Sequence, residues 1–173
     1  MRKVRNLLLF AISFLTLSCS MSAKTDDSVK ENTTVNSEKA GEVIVLNKAD
    51  FLTKVFNYEK SPNLWVYEGD KPCIIDFYAD WCGPCKAVAP ILKELAAQYK
   101  DDIVIYKINV DNEQELAAVF GVRSIPTILF VPKEGKPMVS QGALPKDEFI
   151  KQINEFLLDK KSVSYTHLTL PTT

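Results

Sequence analysis

The chain has 173 residues, of which 46% are hydrophobic and 25% charged, the composition of an ordinary globular protein with a buried core. This length is enough for one folded domain that needs neither a structural metal nor a disulfide for stability. The formal net charge is −1, and three of the positive charges lie in the first five residues. We therefore expect no nucleic-acid partner, because phosphates demand a basic face.

Residues 1–19 have the pattern of an export segment. A basic stretch, Met1–Asn6, precedes an apolar stretch, Leu7–Leu17, and small residues follow. The apolar stretch is short for a membrane span, and a buried helix is the alternative interpretation. Export is favoured because the basic, apolar and small residues occur in the order that secretory signals require.

Cys19 follows the apolar stretch, in a position that resembles the lipidated cysteine of bacterial lipoprotein signals. Such signals usually carry Leu three residues before the cysteine, where this chain has Thr16. Cleavage after Ser20 or Ser22 is the alternative, since small residues stand at the required spacing. In both cases we expect a periplasmic protein, and a lipid at Cys19 would anchor it in the membrane.

Three segments follow the export segment. Residues 20–42 are polar and lack an apolar period, which predicts a tether. Residues 43–161 carry the periodic patterns of one folded domain. Residues 162–173 have no formal charge and no helical period, and they resemble a non-native read-through. We leave this tail out of the fold prediction.

The domain is predicted to contain five strands and four helices in the order β-α-β-α-β-α-β-β-α. The predicted strands are Val43–Leu46, Cys73–Ala79, Ile103–Val110, Thr127–Val131 and Pro137–Gln141. The predicted helices are one capped by Asn47, Pro84–Tyr99 with a kink at Pro90, Asn112–Phe120, and one whose first residue is Pro145. Strand–helix–strand units require parallel strands, and the short link between the last two strands requires an antiparallel pair. The predicted fold class is therefore α/β, with three layers and a central mixed sheet.

The run Trp81–Lys86, with the sequence WCGPCK, carries the chemistry. Two cysteines at this spacing serve as zinc ligands or as a redox pair. A zinc site normally needs four ligands, and the only other candidates after the tether are Cys73 and His167. We therefore expect no metal. A static disulfide is the other alternative, but stabilising disulfides usually close longer loops.

Cys82 is predicted to lie where a buried strand ends and a helix begins. Free backbone N–H groups and the helix dipole favour a thiolate there, and the thiolate is the species that attacks disulfides. Cys85 lies one turn further into the helix, so we expect it to be shielded and to react second.

The stretch Asp76–Lys86 and the later Ser124–Thr127, with the sequence SIPT, resemble thioredoxin in their residues and in their order along the chain. The similarity covers roughly Val43 to Leu158. It implies the thioredoxin fold, dithiol–disulfide exchange on protein disulfides by Cys82 and Cys85, no bound cofactor, and a monomer.

The resemblance also implies roles for individual residues. Asp76 corresponds to a buried carboxylate that shuttles the proton of Cys85, and Lys107 to the lysine that partners it; a structural ion pair is the alternative for Lys107. Pro126 corresponds to a cis-proline that docks substrate backbone; a trans proline at the start of an edge strand is the alternative. The residues expected to face the substrate are Trp81, Gly83, Pro84, Ile125, Pro126 and Gly142.

Three features depart from the family pattern. Tyr78 stands where thioredoxins commonly carry Trp, and we expect this change to affect packing only. Cys73 is expected to be a small buried hydrophobe, with a third redox role as the alternative. The stretch from Tyr58 to Pro72 is longer than the family needs, and its segment Trp65–Tyr67 is either an aromatic cap on the sheet or a substrate-binding lip.

The expected activity is reduction of protein disulfides outside the cytoplasm, with electrons supplied by a membrane partner. The dipeptide Gly83-Pro84 favours this direction, because it offers no side chain that would stabilise the thiolate and so make the disulfide a strong oxidant. The alternatives are an enzyme that inserts disulfides and a redox-inert binding module. A cysteine hydrolase is disfavoured, because the domain has no histidine.

Overall fold

The structure, a computed structural model, describes residues 40–160. The export segment with Cys19, nearly all of the tether, Lys161 and the tail 162–173 lie outside the described residues, so the predictions made for them stay predictions. Within residues 40–160, no helix is long and apolar enough to cross a membrane.

The described region holds five strands and four helices in the predicted order. The strands are β1 (Val43–Val45), β2 (Cys73–Tyr78), β3 (Val104–Asn109), β4 (Thr127–Val131) and β5 (Met138–Gln141). The helices are α1 (Lys48–Lys54), α2 (Gly83–Gln98), α3 (Gln114–Val119) and α4 (Lys146–Gln152), and α4 continues into a π-helical turn, Ile153–Leu157. Most boundaries differ from the prediction by one or two residues. Pro145, predicted as the first helical residue, instead caps α4 in an extended conformation.

The strands form one sheet in the order β1-β3-β2-β4-β5. The pairs β1–β3 and β3–β2 are parallel, whereas β4 runs antiparallel to β2 and β5 antiparallel to β4. The carboxyl ends of β2 and β3 therefore meet the amino end of β4 at one edge of the sheet. The mixed α/β sheet predicted from the sequence is confirmed.

Two apolar layers cover the sheet. On one face α2 and α4 pack over a cluster that includes Ile74, Ile105 and Ile128. On the other face α1 and α3 pack over Ile75, Ile108 and the residues around them. Alternate residues of β2 contribute side chains to the two layers, because successive side chains of a strand point to opposite faces. β2 is thus the central strand of the sheet and is buried on both faces.

The long stretch between α1 and β2 caps the second layer with aromatic rings. The Trp65 ring lies 4.5 Å from the Phe56 ring and 6.4 Å from the Phe120 ring, centroid to centroid. The Glu68 amide donates to the Val55 carbonyl and closes the loop against α1. The contacts of Trp65 are those of an aromatic cap, whereas its neighbour Leu64 is 67% exposed.

We predict that Trp65→Ala lowers the free energy of unfolding by about 2 kcal/mol or more, because two aromatic contacts and buried ring area are lost. Urea unfolding monitored by circular dichroism measures the change. Leu64→Ala, one residue away but exposed, is the control and should stay within about 0.5 kcal/mol of the parent. A Trp65→Ala variant with unaltered stability and a raised KM for protein disulfides would instead identify a substrate-binding lip.

Candidate active site

Cys82 and Cys85 are joined by a disulfide at the start of α2, with their Cα atoms 5.3 Å apart. Cys82 is the N-cap of the helix, and its Sγ accepts a hydrogen bond of 3.2 Å from the Cys85 amide. The Cys82 amide donates to the Ala79 carbonyl, which fixes the turn from β2 into α2. Gly83 and Pro84 open the helix, and Pro suits this position because its missing N–H would find no helical partner there.

The N-cap position distinguishes the chemistry of the two sulfurs. An anion at Cys82 would be stabilised by the Cys85 amide, which already points at its sulfur, and by the positive end of the helix dipole. Burial does not distinguish them: each cysteine is 4% exposed in the disulfide form. Cys85 is shielded, as expected, and in the oxidised protein Cys82 is buried with it in a cluster that includes Ala79.

Asp76 lies in the middle of β2, six residues before Cys82, and is 3% exposed. Its neighbours across the sheet are Lys107 on β3 and Ile128 on β4. One carboxyl oxygen, Oδ1, has no hydrogen-bond partner. Burial raises the pKa of Asp76 to about 7, although the charge of Lys107 opposes the rise. A carboxyl group with this pKa can take up or release a proton near neutral pH.

Lys107 does not form a direct ion pair with Asp76. The ion pairs within 4 Å found in residues 40–160 do not include Lys107, so the structural ion pair considered from the sequence is wrong. Its ammonium lies instead over the ring of Tyr78, 5.2 Å from the ring centroid. Lys107 thus acts on Asp76 through its charge alone.

The segment before β4 lies beside the disulfide. The Ile125–Pro126 peptide bond is cis, so the trans alternative is wrong, and the Ile125 side chain packs against the cluster of Ala79, Cys82 and Cys85. The Gly142 amide donates to the Pro126 carbonyl at 2.8 Å. Gly142 has φ +88°, and a Cβ there would meet no atom within 4 Å, so the surface next to Pro126 is open.

Trp81 is held at the same edge of the sheet by polar residues. Its indole is 69% exposed, and Nε1 donates to Asp111 Oδ2 at 2.9 Å. The Asp111 amide donates to Asn109 Oδ1, and the Asn109 side chain donates to Asp80 Oδ2 at 3.4 Å. Sequence reasoning missed Asn109 and Asp111. The available signal was their position at the end of β3, because carboxyl ends of parallel strands collect functional residues at one edge.

Cys73 lies at the opposite end of β2 from Cys82. It is a free thiol, fully buried, and burial raises its pKa to about 12 while the neighbouring Tyr67 hydroxyl opposes the rise. A thiol in this state supplies almost no thiolate at neutral pH. The prediction of a small buried hydrophobe is confirmed, and its environment does not support a third redox role.

Within residues 40–160, no group of three histidine, cysteine or acidic residues is arranged to hold a metal ion. The redox-active group of this site is the Cys82–Cys85 pair itself, which exchanges two electrons by making and breaking its own S–S bond.

Asp76 should make stability depend on pH. Its pKa is about 7 in the folded protein and ordinarily 3.8, so the folded state holds a proton that the unfolded state has lost. The contribution of this group to stability is therefore present in full below about pH 4, is lost as the pH rises to about 7, and stays lost above. We predict that Asp76→Asn raises the free energy of unfolding at pH 8 by on the order of 2–3 kcal/mol, and that the gain fades towards pH 5.

Urea unfolding of the oxidised protein at several pH values measures this gain. Asp101→Asn, an exposed carboxylate after α2, is the control and should change stability by less than about 0.5 kcal/mol. A gain from Asp76→Asn that is equal at pH 5 and pH 8 would contradict the raised pKa.

Comparison with known proteins agrees with this geometry. The thioredoxin family model matches residues 42–155. The chain is 49% identical to the thioredoxin of Borreliella burgdorferi over 113 residues, which are 65% of this chain and 96% of that protein. It is 44% identical to the thioredoxin of Haemophilus influenzae over 117 residues, which are 67% of this chain and 98% of that protein.

A solved structure of chloroplastic thioredoxin z, with a TM-score of 0.54 and 23% identity over 66% of this chain and 93% of that one, has the same fold. The sheet order, the redox pair at the helix start and the sequence similarity lead to one conclusion: the chain belongs to the thioredoxin family of thiol–disulfide oxidoreductases.

Proposed function

We propose that this protein reduces disulfides of protein substrates outside the cytoplasm, with Cys82 as the attacking and Cys85 as the resolving residue. The observation that carries the assignment is the N-cap position of Cys82, whose sulfur accepts the Cys85 amide hydrogen. The same amide and the helix dipole stabilise the thiolate once the pair is reduced.

The proposed reaction has two exchange steps. The Cys82 thiolate attacks one sulfur of the substrate disulfide, that S–S bond breaks, and the other substrate sulfur leaves as a thiolate. The Cys85 thiol then gives its proton to the Asp76 carboxylate and attacks Cys82 Sγ. The mixed disulfide breaks, the second substrate sulfur leaves as a thiolate, and the Cys82–Cys85 disulfide forms. Two electrons have passed to the substrate.

The surface around the disulfide is proposed to hold the substrate backbone. The exposed Trp81 ring, the helix start at Gly83-Pro84 and the cis Ile125–Pro126 segment surround the pair, and the open space at Gly142 leaves room for a peptide. A Cβ at Gly83 would also meet no atom within 4 Å, so the approach to the pair is unobstructed on that side.

We predict that Cys85→Ala accumulates mixed disulfides with client proteins, because the first exchange proceeds and the second cannot. Non-reducing electrophoresis of material trapped with acid detects them. Cys82→Ala is the matched control and should trap almost nothing. Trapping through Cys85 in the Cys82→Ala variant would reverse the two roles.

With both cysteines intact, Asp76→Asn should slow the reduction of protein disulfides at neutral pH.

The reducing direction rests on the dipeptide between the cysteines. Neither Gly83 nor Pro84 has a side chain that would donate a hydrogen bond or a positive charge to the Cys82 thiolate. The thiolate form is therefore less favoured than it would be beside a histidine, and the pair is the better electron donor. A reductant that acts outside the cytoplasm needs electrons, which we assign to a membrane partner.

Equilibration with glutathione buffers measures the reduction potential. We predict a potential more negative than that of the glutathione couple, and a shift to a more oxidising value in Pro84→His, because the imidazole would stabilise the thiolate. A parent potential near roughly −120 mV, the strong-oxidant end of the range, would make this a disulfide-inserting enzyme.

The proposed location rests on the sequence of residues 1–19 and predicts a lipid on Cys19. Cells grown with a radioactive fatty acid should label the full chain, and Cys19→Ser should remove the label. A mature N-terminus after Ser20 or Ser22 without any label would leave a soluble periplasmic protein. Retention of the whole segment in a cytoplasmic protein would refute export.

A further inference from the structure

Tyr78 contacts two parts of the active site. It is the last residue of β2 and half-buried, and its side chain packs against the cluster formed by Ala79, Cys82 and Cys85. Its ring also lies under the ammonium of Lys107, 5.2 Å from Nζ to the centroid. The sequence predicted a packing role only, and the contact with Lys107 goes beyond it.

The register of the sheet explains why these groups meet. Asp76 pairs with Lys107 across β2 and β3, and Tyr78 follows two residues later on the same face of β2. The Lys107 side chain therefore lies between a carboxyl group and an aromatic ring on one face of the sheet. The Lys107 ammonium lies over the ring and forms no ion pair within 4 Å of the carboxyl oxygens.

Water is the third partner open to this ammonium. A cleft of about 640 Å³ is lined by both Asp76 and Lys107, and Glu42 and Lys93 contribute to its rim. Hydration in this cleft competes with the ring. The ring quadrupole attracts a cation over the aromatic face, and this attraction helps to decide where a flexible lysine side chain rests.

We propose that Tyr78 is a positioning residue of the reaction: its ring holds the Lys107 ammonium beside Asp76 and out of the cleft. The inference rests on the proton-transfer role of Asp76 proposed above. While the ammonium stays on the ring, its charge favours the ionised carboxylate that accepts the Cys85 proton. Without the ring the ammonium moves into the water of the cleft, and Asp76 keeps its proton to higher pH.

Few other charged side chains lie around Asp76, so a change in its titration midpoint can be assigned to the Tyr78 ring. Its register partner on β3 is Lys107 and that on β4 is the apolar Ile128, and the cleft adds Glu42 before β1 and Lys93 on α2. The cysteine pair at the start of α2 is joined as a disulfide and does not titrate in this form. The oxidised protein therefore isolates the effect of the ring on Asp76.

The test is a titration of the Asp76 carboxyl carbon by NMR in the oxidised protein, which does not depend on activity. Tyr78→Leu should raise the midpoint by about half a pH unit or more, whereas Tyr78→Phe, which keeps the ring, should keep the parent midpoint. The pH profile of disulfide reduction should shift in the same direction in Tyr78→Leu and stay in place in Tyr78→Phe.

A double-mutant cycle separates the ring's hold on the ammonium from its packing. Lys107→Met should raise the Asp76 midpoint by itself, and adding Tyr78→Leu should raise it no further. A full additional shift in the Lys107→Met background, an equal shift in Tyr78→Phe, or a lowered or unchanged midpoint in Tyr78→Leu would each overturn the proposal. Failure of the Asp76 role is seen separately, as Asp76→Asn kinetics that match the parent at every pH.

Discussion

The burial of β2 on both faces and between two partner strands is the constraint on which the site depends. Residues Cys73–Phe77 are almost completely removed from solvent, β3 pairs along one edge and β4 along the other. A slip by one residue would exchange the two apolar faces, so the register is fixed. The end of the strand is therefore fixed as well, and this end sets the position of Cys82 as the N-cap of α2.

The same burial makes Asp76 costly. A carboxyl group with an unpartnered oxygen inside this strand weakens the fold whenever it is ionised, and no direct ion pair offsets the cost. An apolar residue would fit the surrounding layer better. The proposed role of Asp76 as a proton acceptor close to neutral pH accounts for a carboxyl at this depth, as a trade between stability and activity.

Much of this architecture was predictable from local pattern. The bounds of β4 and the position of the redox pair at the start of α2 were predicted correctly. Apolar runs, turn residues and cysteine spacing can be recognised directly in the sequence. The hydrogen bond from Trp81 to Asp111 and the contact of Lys107 with Tyr78 were not predicted, since they join residues about thirty positions apart and depend on strand register. The equal burial of the two cysteines was not predicted, because it is a property of the disulfide form and not of the helix.

Cys73 lies at the far end of β2 from the redox pair, roughly 16 Å away by strand rise alone between Cys73 and Tyr78. In the unfolded domain its thiol is as available as those of Cys82 and Cys85, and these three thiols allow three pairings, of which two are wrong. Once β2 joins the sheet, the thiol is enclosed and protonated, and only the pairing of Cys82 with Cys85 remains. A chain that folds before it is oxidised therefore forms the Cys82–Cys85 disulfide, whereas oxidation before folding also permits the two incorrect disulfides. The fold thus selects among its own disulfide isomers.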